Sequence, residues 1–185
     1  MGKVVLTEFI TLDGVIESPQ WSGAFRSDEG RKFKLDELMA SDAMLLGRIT
    51  YEEFSTAWPD MTDEDGFADR MNSLPKSVAT RTLTDLTWNA TPLGDDIVAG
   101  VQQLKRAHEG NILIGGSGNF AQTLIQANLI DEYRLMIFPI VLGTGQRLFT
   151  TPFEKKLELT RTVSLPNGVV VLSYAPAPAT DALES

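Results

Sequence analysis

The chain has 185 residues, of which 43% are hydrophobic and 22% charged, a composition typical of one globular domain with a core. It has no cysteine and one histidine, which excludes disulfides, thiol nucleophiles, cysteine-ligated zinc or iron–sulfur sites and multi-histidine sites, so no metal site is predicted. The net charge of −9 disfavours nucleic acid and anionic membranes as partners, because phosphates bind basic surfaces. We expect a cytoplasmic protein, since no apolar run approaches the roughly 18 residues of a membrane span and the first residues do not resemble a signal peptide.

Strands and helices are predicted to alternate along the first two thirds of the chain. Residues 4–12 are β-branched and largely apolar and end at Asp13-Gly14, which predicts a strand followed by a turn and a loop through Trp21. Further helices are predicted over residues 29–40, from 51 onward, up to about 73, over 94–108 and over 120–128, and further strands over 43–47, 77–80, 86–88 and 111–114. This alternation is typical of a parallel sheet with helices on its faces.

The last third of the chain is predicted to be mainly strand. Residues 133–138, 157–165 and 169–175 have strand patterns, and Pro166-Asn167-Gly168 is predicted to join the last two as a hairpin. We therefore expect an antiparallel edge on a mainly parallel sheet. A single domain is predicted over residues 1–175, followed by a disordered tail over 176–185 that is rich in Ala and Pro.

A glycine motif follows the apolar strand at residues 112–114. Gly115-Gly116-Ser117-Gly118 stands between this strand and a predicted helix, where free backbone N–H groups and the helix dipole can hold a phosphate. The looser dinucleotide fingerprint is incomplete, because it expects an acidic residue about 20 positions later at a strand end, whereas Asp131 and Glu132 precede the next strand. The motif is therefore interpreted as a phosphate site, with a plain tight turn as the alternative.

Two further turns carry cations. Gly47-Arg48-Ile49-Thr50 again leads from a strand into a helix, and Thr50 and Glu53 are spaced as a capping box, so the alternative is a capped helix with a solvated arginine. Thr80-Arg81 follows the strand at 77–80, although a lone arginine is more often a surface charge. Because the three turns end strands of one open α/β sheet, we expect them to share a ligand-binding edge.

The order and spacing of these motifs resemble the dihydrofolate reductase superfamily over roughly residues 3–175. The stretch Pro139-Ile-Val-Leu-Gly-Thr-Gly-Gln-Arg-Leu-Phe149 is similar to one in the reductase half of the riboflavin-biosynthesis deaminase-reductases. The other matching motifs are Thr11-Leu12-Asp13-Gly14, Gly47-Arg48-Ile49-Thr50-Tyr51, Thr80-Arg81 and Ile114-Gly115-Gly116-Ser117-Gly118. The resemblance implies an α/β three-layer dihydrofolate reductase-like fold, with a mainly parallel central sheet, flanking helices and an antiparallel C-terminal hairpin.

The resemblance also implies a cofactor, NADPH. The residues implied to hold its pyrophosphate and ribose are Gly47, Arg48, Thr50, Gly115, Gly116, Ser117 and Gly118. Thr80, Arg81 and the region of Arg48 are implied to meet the 2′-phosphate. NADPH is expected over NADH, because a 2′-phosphate calls for a cation where NAD would call for a carboxylate.

The implied reaction is hydride transfer to a C=N or C=O carbon of a pyrimidine- or pterin-like small molecule, most like 5-amino-6-(5-phosphoribosylamino)uracil reductase of riboflavin biosynthesis. The chain has no zinc-ligand cysteines, so only the reductase half is expected. Dihydrofolate reductases place an acidic residue in the helix before the Gly-Arg-x-Thr turn, but Arg31 stands at the nearest ungapped position here. The alternative is a paralogue that binds NADPH but has another substrate, or only a nucleotide-binding role.

Two residues after the first strand are candidates for the substrate side. Asp13 is the candidate catalytic and substrate-binding residue, and Trp21 the candidate wall or lid. The alternative interpretations are a turn-forming Asp-Gly pair and a buried aromatic residue.

A homodimer is expected through the C-terminal strands. The predicted strands at residues 157–165 and 169–175 are rich in Val, Leu and Tyr, and residues 138–142 add further apolar surface. Exposed strand edges and apolar faces of this kind are normally covered. Relatives in the riboflavin reductase branch pair through this region, so the resemblance implies the same contact.

Overall fold

Eight strands form one sheet in the computed structural model, which describes residues 1–150 and 154–178 of the chain. The strands are β1 (Lys3–Thr11), β2 (Ser41–Gly47), β3 (Lys76–Ala79), β4 (Ala90–Pro92), β5 (Asn111–Gly115), β6 (Glu132–Phe138), β7 (Leu157–Ser164) and β8 (Val170–Pro176). The helices are α1 (Asp28–Met39), α2 (Arg48–Ala57), α3 (Phe67–Ser73), α4 (Ile97–Ala107) and α5 (Gly118–Gln126), with 3-10 helices over Pro19–Phe25 and Pro166–Gly168.

The sheet is parallel except at its C-terminal edge. Its strand order is β4-β3-β2-β5-β1-β6-β8-β7, and the first six of these strands run parallel. β8 pairs antiparallel with β6, and β7 antiparallel with β8. The predicted fold class, with its antiparallel C-terminal hairpin, is therefore confirmed.

The core lies on both faces of the central strand β1. Successive side chains of a strand point to opposite faces. Val4 and Leu6 accordingly pack in one apolar cluster with Leu124 of α5, whereas Val5 packs in a second cluster with Leu38 of α1. Burial on both sides explains why this strand is an almost continuous apolar run.

Two local predictions are wrong. The short strand expected at residues 86–88 lies instead at β4, because Trp88 and Asn89 have φ angles of 57° and 53°, in the left-handed region that no strand uses. The capping box is absent, because α2 begins at Arg48 with Gly47 as its N-cap, which places Thr50 inside the first turn.

The ends of several elements also differ from the predictions. The loop expected through Trp21 is a 3-10 helix, and α5 begins at Gly118 rather than residue 120. Pro176, predicted as the first tail residue, is the last residue of β8. The rest of the predicted tail from residue 179 lies outside the described residues. Among the helices of residues 1–150 and 154–178, none is both long and apolar enough to cross a membrane.

Candidate active site

A cavity of about 690 Å³ opens where the central parallel strands end. β5 stops at Gly115, which pairs with Thr7 of β1, but β1 continues to Thr11 and so passes beyond its neighbour. Glu8 and Phe9 line the cavity just past this point. The carboxyl ends of strands in an open α/β sheet are the usual place for nucleotides and substrates, and the volume is ample for a ligand.

The cavity has two chemically different ends. The loop end is formed by residues 47–50 and 115–118, which are turns and helix starts. The strand end is formed by Thr7, Glu8, Lys34 and Glu37, which come from β1 and α1. Residues 16–20 form a rim of the cavity, where Ile16 lies beside Gly118 and Glu17 accepts the backbone N–H of Gln146.

At the loop end, two helices begin side by side without a side-chain cap from the described residues. The N-caps are Gly47 for α2 and Ser117 for α5, and neither has a side chain that accepts a hydrogen bond from its own first turn. The Ser117 hydroxyl instead accepts a hydrogen bond from the Gly47 N–H at 2.9 Å and so joins the two turns. The N–H groups of a first helical turn lack intrahelical partners, so both helix starts can bind an anion.

Glycine is required at Gly116 in this wall. Its φ is +67°, and a Cβ placed there would lie 3.4 Å from the side chain of Thr50 in the neighbouring turn. Glycine adopts this backbone conformation without strain and keeps the backbone open to a ligand. The turn therefore presents main chain, and not a side chain, to the cavity.

The predicted cations occupy different positions. Arg48 lines the cavity, and its Nη1 donates to Glu52 Oε2 at 2.7 Å. Thr80 and Arg81 do not belong to the lining, which ends at Ala79 on that strand. The Thr80 hydroxyl accepts the backbone N–H groups of residues 82 and 83, at 3.2 and 3.0 Å, and so turns the chain. The structure thus brings the glycine turns and Arg48 together in the cavity wall, whereas residues 80–81 lie outside the lining.

At the strand end, Glu37 of α1 is a buried carboxylate with three donors. It accepts hydrogen bonds from Thr7 Oγ1 at 3.0 Å, from Lys34 Nζ, and from Arg134 Nη1 at 3.4 Å. Only 1% of its side chain is exposed. Arg31, which the sequence places at the nearest ungapped position, has an exposed side chain that pairs with Asp65 at 2.8 Å.

Glu8 is a second buried carboxyl, which the sequence interpretation missed. Its residue is 5% exposed, and its Oε1 has no hydrogen-bond partner among the described residues. Burial raises the pKa of Glu8 well above its usual range, against the opposing effects of the Lys34 charge and the Gly116 backbone N–H. The sequence does contain an indication of this site, because Glu8 is the one charged residue within the apolar run of residues 4–12.

Asp13 and Trp21 lie outside the cavity lining. The Asp13 carboxylate accepts the backbone N–H groups of Leu142 and Gly143 at 3.2 and 2.8 Å. The Thr11 hydroxyl and these N–H groups lower the pKa of Asp13 to about 2. The ionised Asp13 carboxylate therefore holds residues 142–143 in place by hydrogen bonds. The ring of Trp21 packs 5.3 Å from that of Phe138, behind the rim.

The residues that the structure describes contain no group of three or more His, Cys, Asp or Glu side chains that could hold a metal ion. The polar groups of the described lining are instead backbone amides, hydroxyl and amide side chains, one lysine, one arginine and several carboxyls. Such a set suits an organic ligand with phosphate at one end and a hydrogen-bonding ring at the other.

Comparison with known proteins covers almost the whole chain. A family model for the RibD C-terminal domain matches residues 2–171. The chain is similar to the uncharacterized protein YyaP of Bacillus subtilis (strain 168), with 28% identity over 176 residues, which are 93% of this chain and 94% of the relative.

Solved structures share the fold at low sequence identity. A Shewanella sp. PV-4 protein assigned to riboflavin biosynthesis superimposes with a TM-score of 0.77 and 19% identity, over 95% of this chain and 99% of that one. The deaminase/5-amino-6-(5-phosphoribosylamino)uracil reductase of Thermotoga maritima gives 0.68 and 15%, over 95% and 57%. Dihydrofolate reductase from Enterococcus faecalis, complexed with NADP(H), gives 0.63 and 14%, over 95% and 96%. The fold is therefore dihydrofolate reductase-like.

Proposed function

The chain belongs to the RibD C-terminal domain family and is a reductase of that family, and we propose that it uses NADPH to reduce a C=N or C=O bond of a pyrimidine- or pterin-like substrate. The observation that carries this proposal is the two-ended cavity. Backbone amides suited to phosphates lie at its loop end, and buried carboxyls suited to a polar ring lie at its strand end.

The loop end fits a dinucleotide. Its two uncapped helix starts offer amides for the pyrophosphate, and a Cβ at Gly116 would narrow the space beside Thr50. The residues proposed to hold NADPH are Gly47, Arg48, Thr50, Gly115, Gly116, Ser117 and Gly118. Arg48 is the proposed contact of the 2′-phosphate, because it is the cation in this wall. Thr80 and Arg81, which lie outside the cavity lining, are proposed as a second contact of the 2′-phosphate.

When bound, NADPH supplies the hydride. The protein orients the substrate, excludes water from the cavity and provides a proton. Phe9 and Ile16 give the cavity apolar walls that exclude water. The Lys34–Glu37 pair, braced by Thr7 and Arg134, holds fixed polar atoms at the strand end. These groups can orient a ring by hydrogen bonds without moving during the reaction.

Two substrates are candidates. The first is the phosphorylated ribosylaminopyrimidine reduced by riboflavin-type reductases. The second is another small heterocycle without a phosphate, and the charges of the strand end favour it. Glu8 and Glu37 line this end, and Lys34, its one cation among the described lining residues, already pairs with Glu37. A phosphate placed here would meet the Glu37 carboxylate and, among the described lining residues, no unpaired cation.

A steady-state assay that follows the loss of reduced-nicotinamide absorbance tests the proposal. The substrates to compare are a ribosylaminopyrimidine phosphate, its dephosphorylated form and a dihydropterin. We expect turnover, and faster turnover of the unphosphorylated pyrimidine than of its phosphate. Binding of NADPH without any turnover would leave only the nucleotide-binding role, and failure to bind NADPH would overturn the proposal.

We also propose that the protein is a homodimer through its C-terminal strands. β7 ends the sheet, and Leu159 on it is 51% exposed. Val141 and Leu142 are also exposed, at 64% and 39%. Apolar surface beside a strand edge is normally covered by a partner. Light scattering should give about twice the 20.3 kDa chain mass, and a monomer mass would contradict the dimer.

A further inference from the structure

Glu8 has an oxygen that nothing in the described residues satisfies, although it lies in the wall of the cavity. A buried carboxylate oxygen without a donor is costly, whereas a neutral carboxyl needs fewer donors and itself carries an O–H. Glu37 contrasts with it, because three donors surround that carboxylate. The two carboxyls of the strand end are therefore equipped for different tasks.

The polar groups to consider around Glu8 come from four parts of the chain. On β1 itself, the Thr7 hydroxyl is already bonded to Glu37 and Lys34. On α1, Lys34 is close enough for its charge to act on Glu8, and Glu37 neutralises much of that charge. In the glycine turn, Gly116 follows Gly115, the partner of Thr7, and its backbone N–H opposes the rise in the pKa of Glu8. On β6, Arg134 is engaged by Glu37 and Glu132, and so is not a counterion for Glu8.

The pairing of β1 with β5 sets the position of Glu8, because Thr7 pairs with Gly115 and Glu8 therefore comes level with the Gly116 turn. This turn belongs to the proposed cofactor site, and Lys34 belongs to the proposed substrate side. Glu8 therefore lies at the junction of the two ends of the cavity, where a reacting bond would have to be placed.

We propose that Glu8 is the proton donor of the reductase, acting on the substrate nitrogen or oxygen next to the carbon that is reduced. This inference rests on the proposed function. It replaces Asp13, whose carboxylate is held by the 142–143 loop outside the cavity.

The proton step balances with the reduction. Reduction of a C=N bond adds one hydride to carbon and one proton to nitrogen. The Glu8 O–H bond breaks, and its proton forms the new N–H bond with the electron pair of the C=N π bond, while the hydride pair forms the C–H bond. The resulting Glu8 carboxylate is stabilised by Lys34 and the Gly116 N–H, and solvent restores its proton after product leaves.

The protonation of Glu8 can be tested without substrate or cofactor. Carboxyl-labelled glutamate resonances are followed by carbon NMR against pH in the wild type, in Glu8→Gln and in the control Glu158→Gln, which alters an exposed strand residue. We expect one resonance that titrates well above the others, is lost in Glu8→Gln and persists in Glu158→Gln. Titration of Glu8 together with the ordinary glutamates would overturn the inference.

The catalytic role is tested with the substrate that the wild type turns over. Glu8→Gln should lower kcat by about 10²–10⁴-fold while NADPH affinity stays near that of the wild type. The wild-type rate should fall as pH rises through the Glu8 titration, and Glu8→Asp should recover part of the lost rate. If the wild type is active and Glu8→Gln keeps its kcat, the Glu8 inference alone is overturned. If the wild type oxidises no NADPH, the proposed function fails, and this inference fails with it.

Discussion

The loop end and the strand end of the cavity present polar atoms by different means. The loop end uses backbone N–H groups at two helix starts, held by close packing of the glycine turns at residues 47–50 and 115–118. The strand end uses side chains, with Glu37, Lys34 and Arg134 clustered on the α1 side of β1 and Glu8 buried on the opposite face of that strand. A backbone site suits the phosphates that any dinucleotide carries, whereas a buried cluster of charges selects a particular substrate.

This difference determines how each end can be damaged. Most side-chain changes leave a backbone amide in place, so the loop end is weakened mainly by filling its space or by removing Arg48. A buried charge depends on its partners, so a single isosteric change at the strand end leaves other charges uncompensated. We therefore expect the loop end to control binding and the strand end to control stability and proton chemistry.

The largest effect is expected for Glu37→Gln. The change leaves Lys34 and Arg134, whose side chains are only 22% and 17% exposed, without their shared carboxylate. Loss of one partner from such a cluster should lower the free energy of unfolding by about 3 kcal/mol, measured by urea denaturation.

The matched control is Asp36→Asn on the same helix. Asp36 pairs with Lys32, but both side chains are more than half exposed, so the change should cost less than about 1 kcal/mol. Equal losses in the two variants would show that the Glu37 cluster is not a buried charge network in solution.

The next largest effect is expected for Gly116→Val at the loop end. The new side chain would occupy the space beside Thr50, and NADPH affinity should fall on the order of a hundredfold, or about 2.7 kcal/mol, in a calorimetric titration.

Gly143→Val controls for backbone strain. Gly143 also has a positive φ, +78°, but its Cβ would meet open space and it does not line the cavity. Both variants should lose similar stability, and only Gly116→Val should lose NADPH affinity. Unchanged affinity in Gly116→Val would show that the turn does not contact the cofactor.

The loop end could be found in the sequence because its geometry is local. A strand, a glycine turn and a helix start are adjacent in the chain, so Gly115-Gly116-Ser117-Gly118 already defines where the amides point. The parallel sheet and its antiparallel edge were predictable for the same reason, from alternation and from the Pro166-Asn167-Gly168 turn. The position of β4 was predicted too early in the chain. Trp88 and Asn89 have left-handed backbone conformations, so the strand begins only after them, and these conformations depend on packing that the local sequence does not reveal.

The strand end could not be found in this way because its residues meet only in the folded chain. Glu37 contacts Arg134 across 97 positions, and neither residue belongs to a short motif. The same limit applies to Asp13, where a turn-forming Asp-Gly pair gave no indication that its carboxylate holds a loop about 130 positions away. Of these residues, only Glu8 could be noticed from the local sequence, because it is a single charged residue in an apolar strand.

A smaller effect is expected for Arg48→Ala. Arg48 is half exposed and shares its guanidinium with Glu52, so its contact with a 2′-phosphate should contribute about 1.5 kcal/mol, roughly tenfold in affinity. The wild type should bind NADPH better than NADH, Arg48→Ala should remove most of that preference, and Arg81→Ala should remove less because Arg81 lies beyond the lining. Equal affinities of the wild type for NADPH and NADH would contradict the 2′-phosphate contact.

The smallest effect is a slope of stability with pH. Burial raises the pKa of Glu8 above its ordinary value of 4.5, so between that value and the folded-state pKa the native protein holds a proton that the unfolded chain has released. The stability of the wild type relative to Glu8→Gln should therefore fall as pH rises through this window, by at most about 1.4 kcal/mol per pH unit. The stability of the wild type relative to Asp13→Asn should change in the opposite direction. The pKa of Asp13 is lowered from 3.8 to about 2, so the stability that its carboxylate contributes is lost as pH falls through that range. Urea denaturation of the three proteins at a series of pH values measures both slopes, and a flat difference between wild type and Glu8→Gln above pH 4.5 would mean that Glu8 is ionised in the folded protein.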